Sequence, residues 1–333
     1  MVITYRQAWA AALLCVIFTA PLGAQSPAQP AAACDRTCLE GFVDRYLDAM
    51  LARRVDDGLF ARDVRFTENG IRLPLGSEGS WHLATGRGAY RFTVPDVETQ
   101  QVAYLGTLQE RGRNADERRL AGFSLRLKIR DGRIAEVEQL VSRQPISLGA
   151  GPAPTTPLGN TGENVEKMGA PHPRFAAPIP PAERASREEL VRIANAYFTG
   201  LQRNDGKGFY PFTDDCIRFE NGIDVLANVL DPTTGQRGRM SCKRQFEVAL
   251  KGVVSRVRDR RFVAVDRERG IVFAFAFFDH ENINWTWQLA ELFRIEKGQI
   301  ARIEAIFHQA PYGIPSGWST YEQSISDVIQ DVR

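Results

Sequence analysis

Glu291 stands in the run WTWQLAELF (285–293), where Trp285, Trp287, Leu289, Glu291 and Phe293 occupy every second position. In a β-strand these five side chains share one face. A carboxyl group is thereby set in an aromatic, poorly hydrated environment that favours its protonated form. Such a group suits a general base or a proton donor near neutral pH. Asp279-His280 ends the neighbouring apolar run 271–278, and His308 follows the run 300–307; imidazole titrates near neutrality, so both histidines are candidates for proton transfer. Trp81-His82 sets an aromatic beside an imidazole in a Gly-rich segment of the other half. Plainer readings stand beside these: Glu291 as the partner of Arg294 or Arg302, the histidines as polar strand ends, and the Trp pair as a packing surface.

The elements that must position these residues occur twice. ARDVRFTENG (61–70) matches TDDCIRFENG (213–222) at an offset of 152, and DGRI with Glu138 matches KGQI with Glu304 at an offset of 166, so the second copy is 14 residues longer. Each copy opens with an amphipathic helix: Leu39, Phe42, Val43, Tyr46, Leu47 and Met50 in the first, Leu190, Ile193, Ala194, Tyr197 and Leu201 in the second. Ser186 with Glu189 has the form of a capping box, and Ser241 precedes a further helix over 242–250 that Gly252 ends. Strand-like runs at 261–266, 271–278, 285–295 and 300–307 close the second copy, with Arg269-Gly270 and Lys297-Gly298 as hairpin turns. Helices first and an antiparallel sheet last define an α+β module. The alternation puts Val64 and Phe66 on the face of Glu68 but Cys216 and Arg218 on the face of Glu220, so a bulge in one copy is expected, with only one of the two acids facing inward.

Between the copies, residues 144–185 hold nine prolines without apolar periodicity, the composition of an extended linker. The expected division is a signal peptide at 1–24, modules at 34–143 and 186–310, and a C-terminal extension at 311–333. Arg6, the apolar run 8–22 and the small pair Gly23-Ala24 have the layout of a secretory signal; the run is too short to span a membrane. Removing it leaves Cys34, Cys38, Cys216 and Cys242, an even set suited to disulfides in a periplasmic or secreted protein. Of three possible pairings, the local ones within each half are expected. With 42 basic and 40 acidic residues and no basic block, nucleic acid is not an expected partner. No HExxH or paired CxxC points to a metal, no phosphate-cradling Gly loop or G-x-S-x-G motif occurs, and no cofactor is expected.

The order of elements, the helix-borne tyrosines and the acid at the first strand resemble the nuclear-transport-factor-2-like superfamily, also called SnoaL-like, across nearly all of 34–143 and 186–310. The phrases CDRTCLEGFVDRYL, FTENG, DDCIRFENG, RRFVAVDRERG, FFDH and PYGIPSGW look like those of an exported tandem-repeat family on that fold. The resemblance implies two conical, cystatin-like modules, each a curved antiparallel sheet wrapped around helices with a pocket between. In relatives resembling ketosteroid isomerases a helix-one Tyr donates to an oxyanion and a first-strand carboxylate removes a carbon-bound proton. Those roles fall on Tyr197 and Glu220, and on Tyr46 and Glu68. Glu-Asn-Gly also reads as a strand-end turn whose carboxylate holds backbone amides. The second copy, with Asn221, Asp279, His280, Trp285, Trp287, Glu291 and His308, carries the richer constellation; Trp81 and His82 are the first copy's counterpart. A cofactor-free lyase or isomerase acting on a small apolar or aromatic metabolite is the leading expectation. A non-catalytic binding module is the alternative, and a purely structural pair the third, because this fold implies no single function. The run 271–278 is apolar on both faces, so the modules are expected to pack as an intramolecular pseudo-dimer.

Overall fold

The protein is described by a computed structural model covering residues 1–2, 33–112, 117–144 and 159–326; the signal-peptide expectation rests on residues outside these. The described residues from 33 to 326 form one compact unit. Its first module runs α1 (Arg36–Leu51), β1 (Phe60–Glu68), β2 (Ile71–Arg72), α2 (Ser80–Leu83), β3 (Ala84–Asp96), β4 (Gln101–Arg111), β5 (Arg118–Arg130) and β6 (Arg133–Ser142). Two short helices follow, α3 (Thr161–Lys167) and α4 (Pro173–Ala176). The second module runs α5 (Arg187–Arg203), β7 (Phe212–Glu220), β8 (Ile223–Asp224), β9 (Val229–Leu230), β10 (Arg237–Gly238), α6 (Cys242–Val248), β11 (Arg256–Asp266), β12 (Ile271–His280), β13 (Trp285–Glu296) and β14 (Gln299–Pro311), with α7 (Tyr321–Ser324) beyond it.

The fold is α+β, with two six-stranded sheets of one topology, β2-β1-β6-β5-β4-β3 and its repeat β8-β7-β14-β13-β12-β11. One expectation is corrected: the sheets are not wholly antiparallel. β1 runs parallel to β6, and β7 parallel to β14. The first strand reaches the last only through a helix and a run of hairpins, so no tight turn dictates their relative direction.

Local chemistry explains the elements. Asp35 caps α1 by accepting from the Cys38 amide, and Ser186 caps α5 by accepting from the Glu189 amide. The acidic arm of the expected capping box is used differently, since Glu189 binds Arg192. Asn69-Gly70 and Asn221-Gly222 both take positive φ, the I′ turn geometry that joins β1 to β2 and β7 to β8. Each Asn is further pinned across the sheet: Asn69 exchanges two hydrogen bonds with the Val141 backbone, and Asn221 two with that of Phe307. The disulfides are Cys34–Cys38 and Cys216–Cys242, the local pairs expected.

Where the sheets meet, the outer faces of β3, β4, β11, β12, β13 and β14 supply one shared apolar core, which includes Tyr90, Leu105, Phe273, Phe275, Leu292 and Ile306. β12 indeed buries both faces, with Val272, Ala274, Ala276 and Phe278 in the second module's own core. Contacts between modules repeat under exchange of the copies: β6 meets β14, β3 meets β11, and the β4–β11 contact is matched by β12–β3. That is the self-complementary pattern of a two-fold interface. Buried ion pairs cross it, Arg261 to Glu138 through two bonds of 2.7 Å and Arg187 to Asp96 at 2.6 Å.

The segment expected to be an extended linker is, over its described part, packed structure. Val165 of α3 and Phe175 of α4 sit in the shared core, and Glu166 accepts from the amides of Ala89 and Tyr90 and from the Thr107 hydroxyl. The prolines serve here as helix-start residues at α4 and beside it, a role their fixed φ allows.

Candidate functional site

In both modules the first helix lays a tyrosine against a phenylalanine from the first strand and an aromatic from a short helix. The trios are Tyr46, Phe60 and Trp81 in one, Tyr197, Phe212 and Phe246 in the other. They differ in the third aromatic. The larger Trp81 is fully buried in the first, where its Nε1 donates to the Tyr46 hydroxyl at 2.9 Å and Gln139 Nε2 donates to the same oxygen at 2.7 Å. Glu68 is held as well: it accepts from the Ser80 amide at 2.7 Å and from Arg143 at 2.9 Å. The amide-binding turn reading therefore describes Glu68, and Tyr46 is closed into packing. His82 is exposed.

Phe246 has no N–H to offer Tyr197, and the surroundings of that hydroxyl are charged. Arg218 donates to it at 3.0 Å, and it donates to Glu291. Arg218 also binds Glu220 and the Gln245 side chain. Glu220 and Glu291 both line a cavity of about 90 Å³ whose remaining walls are chiefly Leu201, Val225, Val254, Phe278, Trp287 and Phe307. Glu291 is 1% exposed, and its Oε2 has no hydrogen-bond partner among the described residues. Burial pushes its pKa up to about 8, against the opposing hydrogen bond from Tyr197 and the charge of Arg218. Burial also raises the Tyr197 phenol.

The repeat shows what is particular to this cone. Glu291 faces Ala305 across β13 and β14, and the equivalent residue, facing Gln139 across β5 and β6, is Leu125. Arg218 faces Ile303 as Phe66 faces Val137. An Arg, Glu, Glu set in the second module thus stands where the first has Phe66, Glu68 and Leu125. This corrects the expected single bulge: both first strands carry an irregularity in pairing, before Arg65 and before Arg302's partner Ile217, and both acids face inward. What looked like a slipped register was Arg218 on an inner face. Arg218, Gln245 and Phe246 were not singled out from the sequence; the alignment of RFENG on FTENG, which sets Arg218 over Phe66, is the signal that carries the first.

Other expected residues lie apart from this cluster or beside it. Asp279 is fully buried as the partner of Arg256, Arg258 and the Thr286 hydroxyl, a structural ion pair at the strand end. His280 lies edge-on to Trp287 at 4.5 Å; burial lowers its pKa, one ring N–H donates to the Val253 carbonyl, and its Nε2 has no partner among the described residues. Trp287 stacks on Phe307 at 4.9 Å. His308 is half-buried, bonded to Gln288, and pushed down to about 4 by burial, hence neutral. Trp285, Trp287, Asn221 and His308 line a larger cleft between the modules. No group of three or more His, Cys, Asp or Glu side chains that could hold a metal occurs among the described residues, and no helix there is long and apolar enough to cross a membrane.

The fold and site together define an α+β protein of two curled six-stranded sheets, the second enclosing a cavity lined by two carboxyl groups. Residues 183–307 match a family model described as a domain of unknown function, DUF8021, which corresponds to the second module. Among solved structures, the chain is similar to an NTF-2-like protein of unknown function from Burkholderia xenovorans LB400, with 18% identity over 41% of this chain and 98% of the other and a TM-score of 0.25. No curated protein matches the chain.

Proposed function

We propose that this is an exported tandem pair of nuclear-transport-factor-2-like modules whose second cone performs cofactor-free acid-base chemistry, as a lyase or isomerase, on a small apolar carbonyl compound. One observation carries the reading: two carboxyl groups share an apolar cavity, Glu220 salt-bridged to Arg218 and Glu291 neutral up to about pH 8 with an unpartnered oxygen. A carboxyl that burial keeps protonated, beside one paired with an arginine, can serve as the acid to the other's base. Glu220 takes a proton from the carbon beside the carbonyl. The Glu291 carboxyl, supported by the Tyr197 phenol, donates a hydrogen bond to the oxygen that gains charge. The proton on Glu220 then returns to another carbon, giving an isomer, or the electron pair expels a leaving group, giving an alkene. Two disulfides fit an oxidising compartment.

Cyclopentanone, small enough for the cone, tests this through exchange of its α-protons in D₂O followed by NMR. Exchange above the buffer rate is expected, falling about 10²- to 10⁴-fold in Glu220→Gln and in Glu291→Gln. The rival reading is a non-catalytic pocket, favoured by the salt bridge that already engages Glu220. Absence of any catalysed exchange would make it the better account.

A further inference from the structure

The cleft between the modules has a volume of about 290 Å³, several times that of the cone. Its lining is symmetric in position. Asn69 and Asn221 are the two turn asparagines of the repeat, and Val141 and Phe307, Ser142 and His308, and Arg143 and Gln309 are related by the same offset of 166. The cleft therefore lies on the pseudo-two-fold axis of the molecule. In chemistry it is one-sided. The second module contributes Trp285, Trp287, Phe307 and His308, where the equivalent residues of the first are Arg119, Ala121, Val141 and Ser142.

Two features tie this cleft to the cone. Trp287 and Phe307, stacked on each other, line both cavities, so the cleft adjoins at this aromatic pair the cavity that holds Glu220 and Glu291. Trp285 on the cleft side has a buried Nε1–H that meets no acceptor among the described residues, a donor that a bound oxygen atom would satisfy. A purely packed interface between sheets would leave neither a void of this size nor an unanswered indole.

We infer that cleft and cone are two compartments of one binding site, which takes an elongated, flat two-ring carbonyl compound: its reacting end in the cone, its second ring against Trp285 and Trp287 in the cleft. The inference deepens the function proposed above and rests on it for the reacting end. It also gives the first module a task. With Trp81 buried against its own Tyr46, that module supplies the opposite wall of the cleft through Asn69, Val141 and Arg143.

The test compares 2-acetylnaphthalene, a two-ring ketone, with cyclopentanone, in the full chain. Trp285→Ala removes an aromatic wall, and Gln309→Trp fills the cleft from an exposed position that lies outside the cone. 2-Acetylnaphthalene is expected to quench intrinsic Trp fluorescence, and its affinity to fall at least about tenfold in each variant, a loss of about 1.4 kcal/mol, through a missing aromatic contact in one and a blocked cleft in the other. Exchange of cyclopentanone, which needs only the cone, is read in the wild-type chain. Binding of 2-acetylnaphthalene with equal affinity to wild type and both variants would overturn the inference and leave the cone's chemistry standing, as would its failure to bind at all. Cleft-dependent binding without any catalysed cyclopentanone exchange would uphold the cleft and defeat the catalytic reading instead.

Discussion

At the scale of single residues, the second cone is governed by one buried acid. Glu291 holds its proton to about pH 8 when folded, against an ordinary value of 4.5. Folding therefore takes up a proton between those pH values, and the contribution of this group to stability is present below about 4.5 and lost as pH rises toward 8. The groups facing it set the size of the loss: Tyr197 and Arg218 favour the carboxylate, while burial and Glu220 oppose it. Glu291→Gln keeps the shape and removes the titration. Its melting temperature is expected to gain on wild type steadily from pH 5 to pH 8, by the equivalent of a few kcal/mol at the upper end. Differential scanning calorimetry at several pH values measures this, and a constant difference would mean that Glu291 titrates normally. The sequence pointed to Glu291 through the alternation of WTWQLAELF, because a strand's period of two assigns its face directly. It did not point to Arg218, because which charged residue a cone admits depends on the neighbours that enclose it.

At the scale of elements, the short helices bring in the aromatic that packs on each helix-one tyrosine. α2 delivers Trp81, and α6 delivers Phe246 with Gln245 beside it, stapled to β7 by Cys216–Cys242. Phe246→Trp is expected to mimic the first module, filling the second cone and offering an indole N–H to Tyr197. Cyclopentanone exchange should fall at least tenfold while the fold survives, at an overpacking cost of about 1 to 3 kcal/mol. Unaltered exchange would show that the aromatic on α6 does not control access. Replacing both Cys216 and Cys242 by Ala opens a loop spanning 26 positions and is expected to lower the unfolding free energy in urea by about 3 kcal/mol. It should also loosen Gln245 from Arg218, since the staple fixes the start of the helix that carries the glutamine.

For the whole molecule, the two sheets act as one body because the outer face of each is apolar and cannot remain in water. The Arg261–Glu138 pair lies inside that interface, with both side chains 2% exposed. Glu138→Ala leaves a buried guanidinium short of its partner and is expected to cost about 3 to 5 kcal/mol. Pairing Glu138→Leu with Arg261→Met is expected to recover only part of that loss, since it removes the stranded guanidinium but takes from the buried Asp259 its Arg261 partner. Equal destabilisation in the single and double variants would mean that the damage comes from packing rather than from charge. The C-terminal segment adds a further tie: Trp318 donates to Thr67 of the first module and lies under Arg65 and Arg126.

What the sequence determined by itself was whatever depends on near neighbours along the chain. Helix faces, strand runs and the two Glu-Asn-Gly turns follow from periodicity and turn stereochemistry, which act over a few residues, and the disulfides join the cysteines nearest in sequence. The tertiary structure decided the parallel pairing of first and last strands, the packing of the Pro-rich segment, the burial of Trp81 against Tyr46, and the meeting of Arg218, Glu220 and Glu291 around one cavity with Tyr197 bonded behind them. Those outcomes turn on volume and desolvation between groups as far apart in sequence as Tyr197 and Glu291. A carboxyl becomes an acid at neutral pH only when distant chain segments have taken its water away.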